Sequence, residues 1–204
     1  DLKAGALGLS TGLEYDPGRF STRDEVLDLA REAARHGGRY ASHIRNEDRE
    51  LWSAVDEILT IGARTGMPVH LSHAKLALID WWGQAAKLTN RLDQARARGV
   101  KVSIDVYPYP YWFGLLAVLW PDRDFASASA AEYILAHVVR PDGLRLADYP
   151  PEPALAGQTL AAIAQRRGTD PAATLIDLAT RADGSGQPAK VICTSMAEDD
   201  VFTL

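Results

Sequence analysis

The chain has 204 residues, 47% of them hydrophobic and 24% charged, with a net charge of −5 at pH 7. That length holds one sizeable domain or two small ones. Interspersed acids and bases argue against a nucleic-acid or membrane-surface partner, and no apolar run approaches the roughly 20 residues of a membrane span. The single cysteine, Cys193, excludes an internal disulfide and fits a reducing compartment, so a cytoplasmic location is expected.

Gly5 to Leu13 reads as a short strand running into a loop. Thr22 and Glu25 have capping-box spacing and predict a helix whose apolar stripe is Val26, Leu27, Leu29, Ala30, Ala33 and Ala34. Gly37-Gly38 ends it, and Tyr40 to Ile44 follow as a strand. A second helix is predicted from about Arg49 to Arg64, with Leu51, Trp52, Val55, Ile58, Leu59 and Ile61 at helical spacing and Gly66 as C-cap. Pro68 to His73 is the next strand. A third helix runs from about Trp82 to Arg98. Lys101 to Tyr107 is the clearest strand, with Val102, Ile104 and Val106 on one face and Ser103, Asp105 and Tyr107 on the other.

After Pro108 the strand–helix rhythm stops. Residues 108–157 hold seven of the eleven prolines, interrupted by helix-like residues from about Ser129 to Val139. Long irregular insertions in compact domains are commonly lids or binding loops. The rhythm resumes with helices at about Thr159–Arg167 and Asp170–Ala182, the latter opened by an N-cap aspartate and a proline. Lys190 to Thr194 reads as a strand. Ser195 and Glu198 have the spacing of another capping box.

Two apolar runs close on a histidine, His43 and His73, in consecutive strand–helix units. Such units favour parallel pairing, with neighbouring strands about 4.8 Å apart. Histidines at the same end of both strands would then point at a common spot. Two convergent imidazoles are half of a metal site. The residues alone leave this reading open beside another, in which each is a hydrogen-bonded histidine at a strand end. Alternation puts His70 on the opposite face from His73, and it is read as structural. Tyr107 is either a mouth-facing group or a buried tyrosine. Glu47 is either a group beside the histidines or, preferentially, a carboxylate favoured by a helix N-terminus. Arg45 and Asn46 are ambiguous in the same way.

Four stretches in order, GALGLSTGLEYDPG, GGRYASHIRNE, GMPVHLSHAK and DVYPY, resemble the N-acyl-D-amino-acid deacylases (D-aminoacylases) of the amidohydrolase superfamily. The closing SMAEDDV is similar to that family too. The likeness covers most of residues 4–109 and returns at 157–201. It implies an α/β fold, a partial TIM-type (β/α) barrel of the metal-dependent amidohydrolase kind with an inserted lid. Residues 1–110 would be βα units, 111–157 the lid, and 158–204 the return to the barrel. By the same resemblance, His43 and His73 are zinc ligands, Lys75 helps hold the substrate carboxylate, and Tyr107 contacts substrate. The general-base aspartate is expected beyond Leu204, and the remaining metal ligands upstream of Asp1. The chain is thus expected to be a central fragment, depleted of zinc and inactive alone.

The implied activity is deacylation of small-molecule N-acyl-D-amino acids. An oligomer, or pairing through the open barrel edge, is a further expectation. Two rivals stay open: a dihydroorotase- or hydantoinase-like cyclic amidohydrolase, and a non-catalytic barrel fragment.

Overall fold

The computed structural model describes residues 1–204. In chain order the elements are β1 (Gly8–Gly12), α1 (Arg23–Arg35), β2 (Arg39–His43), α2 (Leu51–Thr65), β3 (Val69–Leu71), α3 (Ala85–Ala97) and β4 (Val102–Ile104). Then come β5 (Tyr111–Leu115), α4 (Ala128–Tyr133), β6 (Leu144–Asp148), α5 (Leu160–Arg167), α6 (Pro171–Gly184), β7 (Lys190–Thr194) and α7 (Glu198–Thr203). They form two compact units. One comprises Asp1–Leu76, Trp81–Pro108 and Ala197–Leu204; the other comprises Ala77–Asp80 and Tyr109–Met196.

The first unit is a parallel α/β sheet in the order β1-β2-β3-β4. Its helices form where the sequence predicts them. The Thr22 hydroxyl accepts the Glu25 amide while the Glu25 carboxylate accepts the Thr22 amide, completing the capping box of α1. Gly66 ends α2 at φ 70, a left-handed conformation that glycine adopts without strain. Gly62 lets α2 lie close on the sheet: a Cβ there would meet Val100 at 2.8 Å and Val69 at 3.1 Å.

Register decides which residues face where. Tyr40 pairs with Val69 and Val69 with Val102, so one face carries Tyr40, Ser42, Val69, Leu71 and Val102, all buried. The other face carries Ala41, His43, His70 and Ser103, in the alternation of a pleated sheet. Two strands are shorter than the sequence suggests. β3 ends at Leu71 and β4 at Ile104, because His73 turns into the left-handed region at φ 41.

Arg45 is structural. Its Nε and Nη2 donate to Glu57 Oε2 and Oε1, each at 2.8 Å, and Nη1 donates to Ser21 O at 2.8 Å. This fork ties the loop after β2 to α2. The capping box expected at Ser195 does not form: the helix starts at Glu198, and its N-cap, Ala197, has no side-chain acceptor. Asp200 of that helix instead serves α3. Its carboxylate, on a residue only 2% exposed, accepts from Gly83 N at 2.7 Å and Ala85 N at 3.1 Å. The α3 N-cap, Gln84, provides no side-chain cap of its own.

The second unit is built on an antiparallel sheet in the order β5-β7-β6. β7 spans the predicted residues but does not resume parallel pairing. The chain leaving β5 returns beside it, so β7 lies between β5 and β6. The return to the βα unit, expected from residue 158, comes at Ala197. Thr159 and Asp170 cap α5 and α6 as their sequence positions suggest. The helix-like run to Val139 is α4 continued by a π-helical turn over Ile134–Val138. No helix is long and apolar enough to cross a membrane.

Asp200 gives a direct test of the first unit. Asp200→Ala would leave two amides at a buried helix end without their acceptor and is expected to cost about 1–3 kcal/mol. Asp200→Asn, which keeps one acceptor oxygen, should lose less. Urea denaturation checks it, and equal midpoints for all three proteins would show that the cap contributes nothing.

Candidate metal centre

β2 ends on His43, whose carbonyl accepts from Leu13 N at 3.1 Å, and His73 lies just past the end of β3. Parallel pairing brings both to the same end of the sheet, and the turn at His73 (φ 41) brings its ring to that of His43. His43 Nδ1 and His73 Nε2 face each other at 3.1 Å, and the rings meet edge to face with centroids 4.7 Å apart. Glu47 completes the group: His43, Glu47 and His73 each offer a ligand atom, all within 4.8 Å of one another.

The back of each ring meets a carboxylate. His43 Nε2 lies 2.8 Å from Glu14 Oε2, and His73 Nδ1 lies 3.1 Å from Glu47 Oε1. If each imidazole donates its back N–H to that acid, both facing nitrogens carry lone pairs; if His73 Nδ1 instead accepts from the Lys75 ammonium 2.8 Å away, its Nε2–H donates to His43 Nδ1 across the gap. Two lone pairs at that distance repel unless a cation lies between them. Zinc bound at about 2.0–2.1 Å to two imidazoles at a tetrahedral angle would separate the nitrogens by roughly 3.3 Å. The observed spacing fits, and carboxylates behind ligating histidines are the usual means of fixing tautomer and ring direction.

Lys75, only 4% exposed, lies behind the His73 ring beside Glu47. Its Nζ donates to Glu47 Oε1 at 2.5 Å and lies 2.8 Å from His73 Nδ1. Burial pushes the Glu47 carboxyl up. The Lys75 charge, the His73 hydrogen bond and the charges of both histidines outweigh that and hold it at about 2. Glu14 moves the other way, raised chiefly by burial and against its bond to His43. The two acids flanking the pair therefore differ in proton affinity. Tyr15 stacks 4.8 Å from His43, its phenol pushed up to about 12 by burial and by Glu14 and Glu47. The Tyr107 ring centroid is 5.8 Å from Lys75 Nζ.

Four residues singled out in the sequence thus share one place: His43, His73, Lys75 and Tyr107. Glu47 is not a helix-terminal carboxylate, since α2 begins at Leu51 and its N-cap is Glu50. Its spacing from His43 admitted the role seen here, but the dipole argument assumed an earlier helix start. Glu14 was not foreseen, because nothing in the sequence pairs it with a residue 29 positions away. His70 lies apart from the cluster, bonded to Ser103 and Asp105.

A scan against family models finds no match. Among curated proteins, the chain is 43% identical over 169 residues to an N-acyl-D-glutamate deacylase from Alcaligenes xylosoxydans xylosoxydans. That alignment takes in 83% of the chain and 31% of the deacylase. A D-aminoacylase from the same organism is 35% identical over 108 residues, 53% of the chain and 22% of that enzyme. Among solved structures, N-acyl-D-glutamate deacylase from Bordetella bronchiseptica, complexed with zinc and a phosphonate mimic of the reaction's tetrahedral intermediate, matches 98% of the chain at a TM-score of 0.76 and 36% identity. A crystal structure of D-aminoacylase, said to define a novel subset of amidohydrolases, matches 98% of the chain at a TM-score of 0.75 and 28% identity. Each match covers 37% of the solved chain. The chain is similar to a part of these deacylases, and spans about a third of the length of the N-acyl-D-glutamate deacylase it matches.

The Glu47–Lys75 pair can be tested without metal. Removing one member of a buried ion pair costs about 3–5 kcal/mol, so Glu47→Ala is expected to destabilise by that amount. Glu47→Leu combined with Lys75→Met should recover most of the loss. A folded-state pKa below the ordinary 4.5 makes the Glu47 contribution complete above that pH and lost as pH falls toward about 2. The wild-type melting temperature should fall across that window by more than that of Glu47→Gln; parallel profiles would contradict the assignment.

Proposed function

We propose that these residues belong to a zinc-dependent hydrolase that cleaves the amide bond of N-acyl-D-amino acids, with N-acyl-D-glutamate as the first substrate to test. One observation carries the reading. His43 Nδ1 and His73 Nε2 face each other at 3.1 Å with a carboxylate behind each ring, in a chain homologous to deacylases of that class. The dihydroorotase- or hydantoinase-like alternative has no comparable support among these relatives.

His43 and His73 would hold the metal, with Glu47 either as a third donor or as the acceptor that orients His73. Bound there, zinc would acidify a water to a pKa of about 7 and polarise the amide carbonyl. Glu14 and Glu47 fix both imidazoles so that their lone pairs converge. Lys75 stands behind the His73 ring with Tyr107 beside it, and a substrate carboxylate held there would align the amide. Within the complete protein, residues 1–110 would be βα units of a (β/α) barrel and 111–157 a lid. The open edges of the parallel sheet would be where further strands pair. The substrate is a small molecule, with no nucleic-acid or membrane partner, and the reading includes a cytoplasmic setting.

In the protein carrying these residues, His43→Ala or His73→Ala should abolish stoichiometric zinc and reduce N-acyl-D-glutamate hydrolysis at least about 10³-fold, as expected when an interaction of several kcal/mol is lost from the transition state. Lys75→Ala should keep zinc and lose roughly 10²-fold in kcat/KM, since a hydrogen bond to a charged group contributes about 1.5–3 kcal/mol. Metal analysis with kinetics on the D and L substrates checks both. Full zinc and unchanged turnover in His43→Ala would overturn the proposal.

A further inference from the structure

His73 departs from the geometry of the strand that precedes it. β3 ends at Leu71, and His73 sits at φ 41, in a region that L residues with large side chains rarely adopt. A regular strand would put His73 on the face of Val69 and Leu71; the turn brings its ring round to His43, on the face that also carries His70. The main chain on either side is fixed by neighbouring strands: Ser72 N donates to Ser42 O at 3.0 Å and Ala74 N to Asp105 O at 2.9 Å. The His73 amide itself donates to a side chain, Asp105 Oδ1, at 2.9 Å. The same oxygen lies 2.8 Å from His70 Nε2, and His70 Nδ1 lies 2.9 Å from Ser103 Oγ. A chain of side chains on β3 and β4 thus ends on the backbone of His73.

We propose that Asp105 is a positioning residue for the metal centre. Its carboxylate, braced by His70, locks the left-handed turn at His73 and so sets the direction in which His73 Nε2 points. This rests on His43 and His73 being metal ligands. The competing role for Asp105 is an exposed acid that merely satisfies a turn, with no effect on the imidazoles.

The experiment titrates the full chain with Co²⁺, followed by visible absorption, and measures hydrogen exchange of the His73 amide before metal is added. Asp105→Ala should speed His73 exchange at least about tenfold and weaken Co²⁺ affinity about 10–100-fold, the usual effect of losing a partner behind a ligand. Asp105→Asn keeps an acceptor oxygen in place and should stay within about threefold of wild type in both readouts. Asp105→Glu keeps the charge but moves the acceptor by one methylene, and should behave like Asp105→Ala. If Asp105→Ala fails to fold, the Asn and Glu variants decide alone. Wild-type Co²⁺ affinity in Asp105→Ala, or affinity kept by Glu and lost by Asn, overturns the inference. His43→Ala is the control: unchanged Co²⁺ affinity there overturns the metal reading and this inference with it. Lost affinity in His43→Ala with none lost in Asp105→Ala overturns the inference alone.

Discussion

Parallel pairing of β2 with β3 brings together two histidines thirty positions apart in sequence. The register Ser42↔Leu71 places the strand ends side by side, and everything at the site follows from that alignment. In a pleated sheet a shift of one residue would turn His43 into the helix-covered face. The buried side chains Tyr40, Val69 and Leu71 resist such a shift, because it would expose them. The apolar face that packs on the helices therefore also sets the position of the polar one.

Electrostatics then divides the labour at the site. Glu47 stays ionised because Lys75 and both histidines surround it, although burial alone would protonate it. Glu14 is raised because burial dominates there. One acid neutralises an ammonium at close range, and the other serves mainly as the acceptor behind His43. His73 Nδ1 meets both Glu47 and the Lys75 ammonium, so an N–H of either ring can bridge the 3.1 Å gap, and a metal ion would take the place of that proton.

Much of this was legible in the sequence because it rests on local rules. Helix starts at Thr22 and Asp170, the stop at Gly66 and the β7 boundaries were read from capping, glycine and apolar patterning alone. That His43 and His73 lie at the same end of neighbouring strands was readable too, from two consecutive βα units, but their sharing one face also needs the turn at His73. What escaped depends on contacts distant in sequence. Glu14 meets His43 across a loop, Asp200 caps a helix 115 positions away, and β7 joins an antiparallel sheet because of where an irregular segment returns. Periodicity carries no record of such contacts. His73 was placed in a regular strand, whereas it sits at φ 41 with its amide donating to Asp105, a contact 32 positions away that local patterning does not record.

Anomalous diffraction at the zinc edge, from crystals of the complete protein that carries these residues grown with zinc, is the most direct measurement. A single peak within ligand distance of both His43 Nδ1 and His73 Nε2, with Glu14 still behind His43, is the expected result. A map with no peak between the two nitrogens, or with zinc bound elsewhere and the imidazoles turned apart, would contradict the metal centre.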